Sequence, residues 1–414
     1  MLFFKRCFVA ALSVGVILTS TPSLYADETS EVILKLLIKK GIVTQEEIDE
    51  IKKEVAKEGP VAPKGLEERV TKLEKDSPSW LRNFELKGDL RLRNDHEMSE
   101  PGKDDNQQRL RFRVGATTEV NDKIALGFGL ATGDSAATST NQTMDDSFTS
   151  KEIDLDYAYA KYKPYSWMYL IGGKFTSPFF HTDMLWDSDV TFEGFAGELS
   201  HKLDLDEYPT KVSLRGGYFP LEDTVGPRDI VLSVYQAGTS TDFGDSGIEL
   251  KTGIAYYNFH SIEGAATATL TGERTTNTYI GTSLAEDYRV ISPTVKLSLG
   301  KIGGLLGEYA ENTALSTANE AWRLGAWLGK AKVKKKGQWR LLGQYSEIEA
   351  DSFVDIFPDG DFNDAGTNAK GWEAILDYGI SDNVVLILDY YNTEVITGAQ
   401  SDDQKIQADV IFKF

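Results

Sequence analysis

The groups that most chemistry depends on are scarce in this chain. Of 414 residues one is cysteine, Cys7, and four are histidine. A lone cysteine excludes an internal disulfide framework and paired-thiol redox work. His96, His181, His201 and His260 fall in predicted loops or turns, which leaves few places for a nucleophile, a base and a carboxylate to meet. Basic charge is short as well: 44 Lys and Arg stand against 64 Asp and Glu, a formal net charge of -20. Nucleic-acid binders carry a basic footprint, so that class of partner is excluded, and nothing in the pattern calls for a cofactor. Past the first segment, no apolar run approaches the roughly eighteen residues that a spanning helix needs. A chain of this kind crosses a membrane only with strands.

What is present changes character twice along the chain. Residues 1–26 place Lys5 and Arg6 before an apolar run from Cys7 to Leu18 and close on small and polar residues up to Ala26, the pattern of a secretory signal peptide. Residues 27–78 carry a helical period. Val32, Ile33, Leu36 and Leu37 recur at spacings of three and four, Thr44-Gln45-Glu46-Glu47 forms a capping box, and Leu66, Val70 and Leu73 give a short coiled-coil spacing. This segment is expected in the periplasm, as an oligomerisation stalk or as an amphipathic helix packed on the remainder of the chain.

From 79 to 414 the period is two. Phe84, Leu86, Leu90 and Leu92 alternate with charged residues, as do Leu110, Phe112 and Val114, and Ile153, Leu155, Tyr157 and Tyr159 alternate with Asp154, Asp156, Ala158 and Ala160. About sixteen such strands are expected. The connections between them alternate short and long, with turns such as Asn121-Asp122 and Gly300–Gly303 on one side and loops such as 133–150, 258–287 and 350–369 on the other. A soluble sandwich has no reason to gather its long loops at one end, whereas outer-membrane barrels do. Aromatics at predicted strand ends fit two interfacial girdles: Tyr165, Trp167, Trp339, Tyr378 and Phe414 on the short-turn side, and Phe219, Tyr309, Trp322 and Tyr391 on the other. The expected fold is an all-β transmembrane barrel of about 16 antiparallel strands behind a short α-helical, coiled-coil segment, in contact with outer-membrane lipid and lipopolysaccharide.

The chain ends QKIQADVIFKF, with Val410, Phe412 and Phe414 on one face of a last strand. This ending resembles the C-terminal signature read by the barrel-assembly machinery. Together with LLIKKGIVTQEEIDEIKKEV, LEERVTKLE and FELKGDLRLRND, it resembles the putative porin family of Gram-negative bacteria. The resemblance implies a sixteen-stranded, often trimeric porin, with its third outer loop, here about 175–189, folded into the lumen, and does not imply a substrate; the expected function is passive diffusion of small hydrophilic solutes. That loop carries Asp183, Asp187 and Asp189, and strand alternation points Arg91, Arg93, Arg109, Arg111 and Arg113 inward. Acids facing a basic wall would set a transverse field across a constriction; alternatively the arginines pair with inward acids such as Glu85, Asp89, Glu119, Asp154 and Asp156. Other readings stay open: a barrel tethered through its stalk, a rim hydrolase, and a calcium loop at 359–366, where Asp364 replaces the glycine that an EF-hand needs.

Overall fold

The computed structural model describes residues 83–99, 102–133, 136–145, 147–204, 208–222, 229–266, 275–364, 366–399 and 402–414. The expected signal peptide and helical segment lie outside the described residues. Sixteen long strands follow one another: β1 (Glu85–Ser99), β2 (Lys103–Asn121), β3 (Ile124–Thr132), β4 (Ile153–Tyr165), β5 (Met168–Thr176), β6 (Thr191–Leu203), β7 (Thr210–Glu222), β8 (Ile230–Asp242), β9 (Ile248–His260), β10 (Tyr288–Leu299), β11 (Gly303–Asn312), β12 (Glu320–Gly329), β13 (Trp339–Ile348), β14 (Ala369–Ser381), β15 (Val384–Val395) and β16 (Asp402–Lys413). Each pairs antiparallel with its neighbours in the chain, and β1 pairs with both β2 and β16, so the sheet closes on itself. Closure removes the free edges that an open sheet would expose. No helix among the described residues is long and apolar enough to cross a membrane.

Alternation decides the two faces. Leu92, Phe112, Leu126, Phe128 and Leu130 are exposed on the outside, and Arg91, Arg93 and Arg111 between them are buried inside. The last strand follows the same rule, with Phe412 and Phe414 exposed outward and Gln407 and Asp409 buried inward. Its end completes the ring: Phe414 N donates to Gly88 O at 3.0 Å and Gly88 N to Phe414 O at 2.9 Å. A Cβ on Gly88 would come within 2.4 Å of the Phe414 ring, so the terminal aromatic requires glycine beneath it.

Three expectations are corrected. His96, expected in a loop or turn, sits on β1, because β1 and β2 remain paired as far as Ser99 and Lys103. In β4 the register shifts: Gly129 faces Tyr157 but Leu130 faces Leu155. A bulge inserts one residue and reverses the alternation beyond it, so Tyr157 and Tyr159 turn inward over Gly129 and Gly127, where a Cβ would meet their rings at 2.2 and 2.4 Å. Among the outer aromatics, Phe219 and Tyr391 are buried inside the barrel. The belt on that side is formed by Tyr309 and Trp322, which face each other across β11 and β12, and continues through Tyr345 and Trp372.

Candidate functional site

All five arginines singled out from the sequence belong to one inward patch, and each has an acid within reach. Arg91 faces Arg111, and Arg93 faces Arg109, as Cα partners across β1 and β2. Like charges directly opposite repel, so the pairing is tolerable only with carboxylates between them. Asp409 on β16 accepts from Arg93 Nε at 2.7 Å and Nη2 at 2.9 Å, and lies 3.6 Å from Arg91. Asp89 takes Arg111 Nη2 at 2.8 Å and Arg113 Nε at 3.0 Å, and Asp95 lies 3.7 Å from Arg109. Of the partners named from the sequence, Asp89 holds two of the arginines, whereas Glu85 pairs with Lys87 at 2.6 Å on the exposed strand end.

The loop between β5 and β6, residues 177–190, brings its three acids to different places. Asp189 reaches the ladder, at 3.2 Å from Arg113 Nη1 and 4.0 Å from Arg111. Asp183 pairs with Arg323 on β12, whose Nε also donates to Ser346 at 2.7 Å. Asp187 turns to the loop between β13 and β14, residues 349–368, and accepts from Gly360 N at 2.8 Å. Burial first, then the neighbouring Asp359 and Asp189, push its carboxyl up to about 8. The acids therefore do not form one facing row. Only Asp189 joins the arginine wall from this loop.

The missing counterpart is Asp361, in the segment considered for calcium. Its carboxylate lies 2.9 Å from Arg93 Nη1. Although burial opposes ionisation, Arg93 and then Lys405 hold its carboxyl down at about 2. With Asp361 committed to Arg93 and Asn363 Oδ1 accepting from Thr393 at 3.1 Å, those two positions work as struts between loop and wall. Sequence spacing could not reveal this second inward loop, because nothing in 350–369 separates a solvated loop from one folded against the wall. Asp409 was legible, since alternation puts it inward beside the ladder.

The two loops meet the other half of the barrel through an apolar cluster. Met184, Leu185, Trp186, Phe353 and Val354 are almost wholly buried against Phe192, Phe219, Tyr257 and Phe259 on the strands. Trp186 packs at a tilt against Phe192 and Phe357, with centroids 4.5 Å and 4.6 Å away. Hydrogen bonds fix the second loop from above: Asp355 accepts from Thr276 N at 3.0 Å, Asn277 N at 3.1 Å and Tyr279 OH at 3.0 Å, and Asp351 from Thr278 N at 2.8 Å. A polar cavity of about 400 Å³ remains between loops and ladder, lined by Arg91, Arg93, Arg109, Arg111, the three acids of the first loop, Asp359, Asp361, Glu373 and Asp389. The histidines are dispersed: His96 lies 3.7 Å from Asp104, His260 bonds Ser233 and Asn258, and half-buried His181 contacts the Thr182 carbonyl.

The architecture matches known proteins. OprB of Pseudomonas putida, in a high-pH structure, aligns over 83% of this chain and 96% of its own with a TM-score of 0.53 at 9% identity. OmpF of Salmonella typhi, in complex with daunomycin, aligns over 80% and 98% with a TM-score of 0.49 at 12% identity. At 9% identity the likeness to OprB speaks for the fold alone. No curated protein matches the chain. Residues 98–289 and 287–414 match the family described as Putative porin, which is well over half of the sequence. The chain belongs to this Putative porin family: it is an outer-membrane β-barrel channel of the porin type, and not an enzyme.

Proposed function

We propose that the channel lets small hydrophilic solutes or ions diffuse passively, down their own gradient, through a water-filled path between the arginine ladder and the two inward loops. The observation that carries this reading is the polar cavity beside Arg91, Arg93, Arg109 and Arg111, since buried charge at this density needs water or ions around it. In this reading Asp189 and Asp361 clamp the loops to the wall and hold the path narrow, while Asp183 ties the first loop to β12 and Asp187 ties it to the second loop. The mature chain begins after Ala26, residues 27–78 form a helical stalk in the periplasm, and three copies assemble in lipid. Val410, Phe412 and Phe414 serve as the assembly signal. Planar-bilayer recording of the purified mature protein tests the central claim. Stepwise conductance is the expected result, and a silent bilayer from folded, heat-modifiable protein would overturn it.

A further inference from the structure

Charge around the cavity is unequal. Seven carboxyl groups and four guanidinium groups line it. Counting the ion-pair partners just outside keeps the excess acidic, because Arg113, Arg323 and Lys405 stand against Asp89, Asp95, Asp364 and Asp409. The ladder is thus neutralised where it stands, and the surplus is acidic.

Two of the surplus groups sit on the strand wall itself. Glu373 on β14 is 3% exposed and hydrogen-bonds Gln344, a neutral partner. Asp389 on β15 lines the same cavity, and its Oδ1 has no hydrogen-bond partner among the described residues. Its cross-strand neighbour Gln407 supplies independent evidence of an unfilled path. That side chain is 1% exposed and lines the cavity beside Asp361, yet neither its Oε1 nor its Nε2 makes a hydrogen bond of normal geometry among the described residues. Buried amides are nearly always well bonded, so one without a well-formed bond, beside a carboxylate whose Oδ1 is unbonded, marks a place where water or a solute supplies the partner.

We infer that the constriction passes small cations, protonated amines included, in preference to anions, and that Glu373 and Asp389 are the residues that set this preference. The inference rests on the diffusion-channel reading. Surplus fixed charge in a narrow aqueous gap concentrates ions of the opposite sign, and arginines already paired with carboxylates offer an anion little.

The experiment is reversal-potential recording in a tenfold KCl gradient at about pH 9, since higher pH favours the ionised form of any carboxyl. The wild type is expected to favour potassium over chloride by roughly threefold, an effect of the size expected for a few fixed charges. The Glu373→Gln/Asp389→Asn double variant is expected to lose at least about half of that ratio, while Glu373→Asp, which keeps the charge, retains it. If the double variant fails to become heat-modifiable, Asp389→Asn alone is read in its place. Clear conductance steps with a wild-type ratio at or below one would overturn the inference and leave the diffusion reading standing, as would a ratio that removal of the charge does not move. The absence of any steps from folded protein strikes the diffusion reading first.

Discussion

The two halves of the barrel interior obey different rules. On β1, β2 and β16 the inward positions include Arg91, Arg93, Arg111, Asp89 and Asp409, and among these charge is answered by charge at 2.7–3.6 Å. On β6 to β9 the inward positions include Phe192, Phe219, Leu232, Val234, Tyr257 and Phe259, and apolar surface is answered by Met184, Trp186 and Phe353 from the loops. The difference teaches how a pore can be narrowed without being blocked. An apolar half supplies the burial energy that holds the loops inside, since bringing large aromatic side chains out of water stabilises by about 1.5–3 kcal/mol each. A polar half keeps its dipoles and charges exposed to whatever passes. Loops held by charge alone would exchange with water and salt, and loops held by apolar packing all round would seal the lumen.

The largest expected effect comes from breaking the apolar half. Trp186→Ala removes the ring at the centre of the cluster and should cost about 3–5 kcal/mol, as large truncations in a packed core do. In bilayers this variant should show larger, noisier conductance because the loop loses its anchor, and a thermal scan should show a lower transition. Unchanged conductance would mean that the loop is held by its charges instead. A middle effect comes from Asp355→Ala, which deprives Thr276 N, Asn277 N and Tyr279 OH of their shared acceptor. Each buried donor left unpaired costs about 1–3 kcal/mol, so protease cleavage within 349–368 should become faster than in the wild type. A smaller effect comes from the charged half. Arg113 has a side chain 32% exposed, and its loss leaves Asp89 bound to Arg111. Arg113→Gln should therefore cost less than about 1 kcal/mol while raising the potassium-to-chloride ratio. A stability loss comparable to that of Trp186→Ala would erase the contrast between the halves.

The same contrast explains what the sequence could disclose. The charged half was legible because its strands alternate cleanly: Arg91, Arg93, Arg109, Arg111 and Arg113 can only face water when Leu90, Leu92, Leu110, Phe112 and Val114 face lipid. On the apolar half both faces bury carbon, so Ile230-Val231-Leu232 on β8 reads as a run without a side. Tyr157 and Tyr159 misled for a different reason. A bulge is a backbone event, and one inserted residue at β4 left the composition unchanged while reversing the face. Glu373 and Asp389 also carried no local signal, because their meaning depends on the loops that approach them.

The finest test of the charged half is titration. Asp187 sits in the loop between β5 and β6, and burial first, then Asp359 and Asp189, raise its carboxyl from the ordinary 3.8 to about 8. A raised carboxyl is mostly protonated at neutral pH, so it adds negative charge beside the cavity only as pH climbs through about 8. The same proton uptake makes the folded state lose stability as pH rises from 3.8 to about 8. Other loop groups pull in known directions: Asp361 is ionised throughout, held at about 2 by Arg93 and Lys405 against burial, and His181 stays neutral because burial lowers it. Asp359, raised by burial and by Asp361, adds charge in the same sense as Asp187. The potassium-to-chloride ratio should therefore rise by less than about twofold from about pH 7 to about pH 9, with Asp187→Asn flattening most of that rise. A rise of equal size in Asp187→Asn would assign the titration to Asp359 and the strand carboxyls, and would leave Asp187 as a strut between the two loops.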